Sequence, residues 1–271
     1  MTLDRSLTYK RHIEHLRGKI TTRNGLLRCL AGSSWGACTT TLRTGALALV
    51  YSAAEYASPV WCRSSHAYKL DCALNDTMRI ITGCLRPTPT VFLPVLSGVE
   101  PPDVRREARV GRLVNAARTF PGHILHDCVI AATSIGRQRL KSRHSFSNHA
   151  ALLLKKPFEA ALAWNDRVHN GPPLLQSACP EPLARSPPGS DLPRKQWVLL
   201  NRLRSGTART SEALARWGHL PSASCSCGHP SQTIRHIIVD CPLYRAPNGF
   251  AGLRCPDEET RQWLMNFPLL L

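Results

Sequence analysis

Four residues near the end of the chain have the types and the spacing of a metal site. They are Cys225, Cys227, His236 and Cys241, and they fall within 17 residues of sequence, with Gly228 directly after the first pair. Two thiolates on a glycine-bearing turn, an imidazole on a helix and a thiolate just beyond that helix can complete a tetrahedron around zinc. The pattern predicts a structural zinc site of the zinc-knuckle type.

The spacing of this set leaves alternatives open. A single residue separates Cys225 from Cys227, whereas the common zinc-finger spacing has two. Small buried thiols beside a satisfied histidine would give the same residues without a metal, and His229 is a conceivable substitute ligand. We expect zinc because the segment 220–244 has few apolar residues to bury, and a structural zinc can supply about 10 to 16 kcal/mol. The C-terminal module is therefore predicted to unfold without its metal.

Basic residues form two further groups that could bind phosphate. One group shares a face of a predicted helix and comprises Arg105, Arg109 and Arg112. The other surrounds Trp197 and Trp217 and includes Arg194, Lys195, Arg202 and Arg204. A solvated helix face is the alternative for each group. The two tryptophans are expected to be core residues, because large aromatic side chains at helical spacing usually pack inside.

The composition favours a nucleic acid as the partner. The chain has 35 Lys and Arg against 18 Asp and Glu, a net charge of +17, which a polyanion would neutralise. The longest apolar stretch, 45–54, is far shorter than the roughly 20 residues that span a membrane. The first ten residues lack the apolar core of a secretory signal. We therefore expect RNA or DNA as partner, no membrane, no small-molecule substrate, and an intracellular location, with the nucleus as one candidate.

Helical periodicity dominates the first 120 residues. Apolar residues recur at helical spacing over 8–30, with Thr8 available as a cap. Further helices are predicted over 39–57, from a cap at Ser64 or Ser65 to Gly83, over 91–96, and over 102–118. These elements predict a helical bundle.

The remainder of the chain divides into two parts. Periodicity weakens between 121 and 190, a region that contains the basic residues Arg137, Arg139, Lys141 and Arg143. The proline-rich run from Pro172 to Pro193 resembles an extended linker. Helices resume after Pro193 and after Thr210 or Ser211. We expect a mainly α protein with three parts: a helical bundle over 1–120, a variable basic and Pro-rich linker over 121–190, and a small helical module with the zinc knuckle over 191–271.

The sequence offers no catalytic residue. Polymerases and metal-dependent nucleases hold magnesium with clustered carboxylates. The chain has no Asp-Asp pair, and Asp4, Asp71, Asp76 and Asp103 are scattered. The eleven cysteines are odd in number and mostly isolated, which favours reduced thiols over a disulfide framework.

Several multi-residue blocks resemble the reverse transcriptases of non-LTR, LINE-type retrotransposons, in particular jockey-like elements. Blocks similar to the stretch after the palm and to the thumb are Thr2–Thr8, Asn24–Arg28, Leu30–Gly36, Tyr51–Trp61, Arg79–Cys84 and Gly98–Arg106. Blocks similar to the C-terminal module are Trp197–Gly206, Trp217-Gly218, and the Cys/His set preceded by Gln232-Thr233. The resemblance covers most of the chain except about 120–190.

The resemblance implies a thumb-like bundle that grips a primer-template duplex and a terminal knuckle that engages RNA or target DNA. The family's endonuclease, fingers and palm, with the aspartates that bind magnesium, would lie upstream of Met1. The chain is therefore expected to be a nucleic-acid-binding C-terminal fragment of an RNA-directed DNA polymerase, inactive by itself. The alternative is a zinc-dependent protein-interaction adaptor derived from such an element.

Overall fold

The predicted mainly α fold is confirmed. The computed structural model describes residues 1–5, 7–132, 146–182 and 186–268, and no strand occurs within these ranges. The α-helices are α1 (Lys10–Arg28), α2 (Thr39–Gly45), α3 (Ser52–Ala54), α4 (Ser58–Trp61), α5 (Tyr68–Thr82), α6 (Phe92–Ser97), α7 (Pro102–Thr119), α8 (His126–Ala131), α9 (Phe146–Lys155), α10 (Ala160–His169), α11 (Pro173–Ala178), α12 (Arg194–Arg204), α13 (Ser211–Arg216), α14 (Gly249–Arg254) and α15 (Glu258–Asn266). Two further segments, Ala46–Tyr51 and His236–Asp240, are π-helical. No described helix has both the length and the apolar character needed to cross a membrane.

Local capping explains where several helices begin and end. The Asp4 carboxylate accepts hydrogen bonds from the amides of Thr8, at 2.8 Å, and Lys10, at 3.1 Å, ahead of α1. Thr210 is the N-cap of α13 as predicted, and its hydroxyl accepts from the Ala213 amide at 3.2 Å. Gly83 follows the last residue of α5 with a φ of +72°, a conformation that glycine adopts without steric cost.

The chain forms two compact units, each assembled from three separate stretches of sequence. Unit 1 comprises Met1–Arg23, Leu49–Leu74 and Glu100–Trp164. Unit 2 comprises Asn24–Ala48, Asn75–Val99 and Asn165–Leu271. The predicted parts, in contrast, are three continuous segments divided near residues 120 and 190.

Unit 1 packs around α7. Val110, Val114 and Ala117 of α7 are buried against Val129 of α8 and Ala150 of α9. Glu55 of unit 1 is a buried carboxylate, 3% exposed, and it forms ion pairs with two arginines of α7.

Unit 2 packs around α12. Its core includes Trp197, Leu200 and Leu203 of α12, with Ile237 and Leu253 from later segments. Trp197 is fully buried, as predicted. The prediction for Trp217 is wrong, because this side chain is 39% exposed directly after the short helix α13.

Side chains of α12 satisfy the C-terminal carbonyls of α5. Arg194 donates to the carbonyls of Ile80 and Ile81, at 2.7 and 2.6 Å. At the same end of α5, Asn201 Nδ2 donates to the Thr82 carbonyl at 3.1 Å, and Arg202 Nε donates to the Gly83 carbonyl at 3.0 Å. The last carbonyls of a helix have no partner within the helix, so these donors replace water there. A segment of the predicted N-terminal bundle thus belongs to the same compact unit as the C-terminal module.

The region 121–190, predicted as a variable linker, contains helices in its described part, and the prediction of an extended run over 172–193 is wrong at Pro173–Ala178. Helices α8, α9, α10 and α11 lie there, and α9 buries Ala150, Ala151 and Leu153. Helices of six to ten residues contain too few apolar repeats for a clear periodicity. Pro173 occupies the first turn of α11, where proline fits a helix, so the proline-rich composition was misleading. Arg137, Arg139, Lys141 and Arg143 lie outside the described residues.

Candidate metal centre

The first two candidate ligands lie on a tight turn in unit 2. The Cys225 amide donates to the His229 carbonyl at 2.9 Å, and the Gly228 amide donates to the Cys225 carbonyl at 3.0 Å. Gly228 has a φ of +91°, which L side chains rarely adopt. This turn holds Cys225 and Cys227 on one short loop.

The other two ligands bracket the second π-helical segment, His236–Asp240. The Thr233 hydroxyl accepts from the His236 amide at 3.0 Å and so fixes where this segment starts. At its other end, the Cys241 amide donates to the His236 carbonyl at 2.7 Å. The π-helical segment therefore brings the His236 imidazole and the Cys241 thiol to the loop that carries Cys225 and Cys227.

The four side chains converge. One ligand atom from each of Cys225, Cys227, His236 and Cys241 lies within 4.8 Å of every other. Cys225 Sγ and Cys241 Sγ are 3.8 Å apart, and Cys227 Sγ lies 3.2 Å from His236 Nε2. A tetrahedral zinc ion with Zn–S bonds of about 2.3 Å would separate two sulfurs by about 3.8 Å. The spacing and donor types fit a metal ion, so this cluster could hold one.

Gln232 forms a hydrogen bond with the cluster, and the sequence prediction did not include this residue. Its Nε2 donates to Cys225 Sγ at 3.6 Å, while its Oε1 accepts from the amide and hydroxyl of Ser211, both at 2.9 Å. The side chain is buried and connects the cluster to the start of α13. The only sequence signal was its place in the resemblance, one residue before Thr233.

The environment favours a thiolate at Cys225. Burial raises the pKa of this thiol, but hydrogen bonds from the Cys227 amide and from Gln232 outweigh that effect, so the pKa lies below its ordinary value. Burial raises the pKa of Cys241. Thiolate is the form that binds metal, so the lowered pKa of Cys225 favours the form that a metal requires.

His229 and Cys255 lie outside the cluster. The His229 ring stacks on the His236 ring with centroids 4.2 Å apart, and its Nδ1 accepts from the Ser231 amide at 3.2 Å. Cys255 is an exposed free thiol. Among the residues that the structure describes, the four-residue set is the one group of three or more Cys, His, Asp or Glu side chains placed to share an ion.

Of the three arginines predicted on one face of α7, two are committed to a carboxylate. Arg109 Nη2 lies 2.7 Å from Glu55 Oε2, and Arg105 pairs with both Glu55 and Glu100. Arg112 is exposed. Of the three, only Arg112 is exposed and has no acidic partner among the described residues.

The second predicted group is mostly internal. Arg194, Arg202 and Arg204 are buried, and only Lys195 is exposed. Arg204 is fully buried and donates to the carbonyls of Leu253, at 2.7 Å, and Pro188, at 2.8 Å. Burial lowers the pKa of Arg194 and of Arg204 to about 10, which still leaves both charged at neutral pH. The structure gives these three guanidinium groups backbone carbonyls as partners, so the prediction that they contact phosphate does not fit this conformation.

Sequence reasoning missed the basic character of α1. The helix has six Lys and Arg and one Glu, and its exposed basic residues include Lys10, Arg11, Arg17 and Lys19. A cavity of about 480 Å³ in unit 1 is lined by His12, His15, Lys19 and Arg23 of this helix and by no carboxylate side chain. The signal was present in the sequence as the excess of basic residues over 10–28.

No family model matches the chain, and neither the curated proteins nor the solved structures include a match to it.

Proposed function

We propose that the chain is a nucleic-acid-binding C-terminal part of a non-LTR retrotransposon reverse transcriptase, and that zinc organises its C-terminal module. The convergence of Cys225, Cys227, His236 and Cys241 is the observation that carries the proposal. The expected activity is to hold polynucleotide. No catalytic residue is assigned.

Zinc is the metal that the donor set favours. Three sulfurs and one imidazole nitrogen are soft and borderline ligands, which suit zinc rather than magnesium or calcium. The arrangement leaves no open coordination position, so the ion would be structural. It would fix the loop at Cys225 against the π-helical segment at His236.

Nucleic acid is the partner that the charge distribution favours. The net charge is +17, the exposed basic residues of α1 outnumber its single carboxylate, Glu14, and no carboxylate side chain lines the cavity beside Lys19. Lys and Arg at such a surface bind phosphates and release counterions, so affinity should fall steeply as salt rises.

An adaptor that binds a protein through the zinc module is the second candidate. Leu220, Val239 and Leu243, which flank the metal ligands in sequence, are between 37% and 59% exposed. An adaptor would need these side chains to form one contiguous apolar patch, which is the mark of a protein-binding surface.

Two measurements on the full chain test the proposal. Elemental analysis should find one zinc per chain. Binding of labelled single-stranded RNA and duplex DNA, followed by fluorescence anisotropy at 50 and 200 mM salt, should weaken by at least tenfold across that range, because each phosphate contact adds about −0.7 to −0.9 to the salt slope. Weak binding that is insensitive to salt would favour the adaptor, and a chain that folds without metal would refute the zinc assignment.

A further inference from the structure

A second cavity in unit 1 combines an apolar lining with two arginines. It has a volume of about 390 Å³ and lies between α7 and the segment that joins α9 to α10. Its apolar part includes Val114, Leu153 and Phe158, and its polar part comprises Arg112, Asn115 and Arg118. Cavities of about 300 to 1,000 Å³ with few polar groups are typical of small-ligand sites.

The two arginines are available for an anion. Both are exposed, no carboxylate lines the cavity, and in the described part of the chain no acidic side chain pairs with either one. Arg118 makes a long hydrogen bond, 3.4 Å, to Asn115 Oδ1. Arg105 and Arg109, earlier on the same helix, pair with Glu55 instead. The positive charges of Arg112 and Arg118, in the C-terminal half of α7, are thus available to bind a ligand.

The apolar part suits a flat, partly polar group. Phe158 is half-buried and packs against the core of unit 1, so its ring is held in place while part of it remains accessible. The Asn115 amide can both donate and accept hydrogen bonds, as the edge of a nucleobase requires. Aromatic rings that accept a base by stacking, next to arginines that accept its phosphate, are the usual parts of a single-strand site.

We propose that this cavity binds one unstacked nucleotide of a single-stranded nucleic acid, with the base against Phe158 and the phosphate at Arg112 and Arg118. The inference rests on the proposed function, because it names the strand type and one contact of the same nucleic-acid interface. Bases inside a duplex are stacked and paired, so a duplex could offer the cavity its phosphates but not a base.

The test uses the full, zinc-loaded chain and three labelled ligands: a single-stranded RNA, the duplex of the same sequence, and an abasic strand with the same number of phosphates. The variants are Arg112→Ala, Phe158→Leu and the control Arg17→Ala, which removes one exposed charge from α1. Thermal melting verifies that each variant is folded. Leucine keeps the apolar lining of the cavity and removes only the ring.

We expect the wild type to prefer the base-containing strand to the abasic strand by roughly fivefold or more. Arg112→Ala should lose about tenfold in affinity for the single strand and most of that preference. Phe158→Leu should lose the preference with an unchanged salt slope. Arg17→Ala should weaken both strands by the same factor. A strand containing 5-bromouracil should crosslink under ultraviolet light to the peptide that contains Phe158.

The outcomes separate this inference from the proposed function. Equal binding of base-containing and abasic strands, or an Arg112→Ala variant that behaves like Arg17→Ala, would overturn the inference while salt-dependent binding still supports the function. Titration with AMP, followed by amide chemical shifts, covers the opposite case. If AMP binds the wild type but not Arg112→Ala while no polynucleotide binds at all, the cavity is a nucleotide site and the proposed function fails. If neither AMP nor a strand binds, both fail.

Discussion

The metal ligands are the residues whose substitution should have the most specific effect. Replacing Cys227 with Ser removes a thiolate whose sulfur lies 3.2 Å from His236 Nε2. We expect the variant to lose the bound zinc and the C-terminal module to lose much of its structure, since a structural zinc contributes about 10 to 16 kcal/mol to such modules. Elemental analysis and far-UV circular dichroism measure the two effects.

Cys255→Ser is the matched control, because Cys255 is an exposed thiol outside the cluster. This variant should retain one zinc per chain and the wild-type melting temperature. Retention of zinc by Cys227→Ser, or its loss from Cys255→Ser, would show that the ligand set is not the one proposed here.

One buried carboxylate of unit 1, Glu55, pairs with two arginines of α7. In Glu55→Gln the side chain keeps its size but loses the charge that Arg105 and Arg109 share. Breaking a buried pair by removing one partner costs about 3 to 5 kcal/mol, and Arg105 and Arg109 keep partial access to water, so we expect about 2 to 4 kcal/mol in the free energy of unfolding. Urea denaturation measures it.

The exposed pair between Glu181 and Arg254 provides the comparison. Glu181 is largely in solvent, and its carboxylate lies 3.2 Å from Arg254. Glu181→Gln should change the free energy of unfolding by less than about 1 kcal/mol, because water screens exposed pairs. Equal effects from the two substitutions would contradict the role assigned to Glu55.

At the scale of elements, the contact between α5 and α12 explains how separate stretches form one compact unit. Arg194, Asn201 and Arg202 donate to the last carbonyls of α5, and Val198 packs where Gly83 has no side chain. The basic residues of α12 were predicted to bind phosphate, with a solvated helix face as the alternative. In the structure Arg194 and Arg202 instead donate to carbonyls at the end of α5, where the helix itself supplies no donor.

Gly83→Ala tests this contact. A Cβ at position 83 would lie 2.2 Å from Val198 Cγ2, and the φ of +72° disfavours any L side chain. Overpacking costs about 1 to 3 kcal/mol, and the backbone conformation adds about 1 kcal/mol, so unfolding should become easier by about 2 to 4 kcal/mol. Chemical denaturation gives this value.

Gly18→Ala is the matched substitution in an open position. Gly18 lies inside α1 with nothing within 4 Å of the added Cβ. Alanine has the higher helix propensity, so the variant should be more stable by about 0.5 to 1 kcal/mol. The two glycines should therefore give effects of opposite sign, and the same sign for both would contradict the packing described at Gly83.

At the scale of the whole molecule, successive stretches of the chain belong alternately to unit 1 and to unit 2. Unit 2 contains Asn75–Val99 together with the C-terminal residues, and although the apolar core around α12 is built from residues of 192–267, its polar side chains bond to the end of α5. A fragment that starts near 191 would lack the carbonyls of Ile80, Ile81 and Thr82 that Arg194, Trp197 and Asn201 use.

This arrangement predicts the effect of truncation. In a chain that ends at residue 190, the end of α5 loses its donors from α12, and amide hydrogen exchange over 75–83 should become much faster than in the full chain. The buried residues Val110 and Val114 of α7, in unit 1, should keep more of their protection. Hydrogen exchange followed by mass spectrometry measures both regions. Unchanged exchange over 75–83 would mean that α5 is stable without α12.

The sequence alone determined the helical class, most helix limits in the first 120 residues, and the four residues of the metal cluster. These features depend on local rules. Apolar spacing, caps and glycine stops act within a few residues. Four metal ligands within one short segment of chain are kept near one another by the chain itself. Only the tertiary structure decided the roles of the arginines. A guanidinium group contacts phosphate, carboxylate or backbone carbonyl according to what lies beside it. For Arg105 that neighbour is Glu55, and for Arg194 it is Ile81, more than a hundred residues away in sequence.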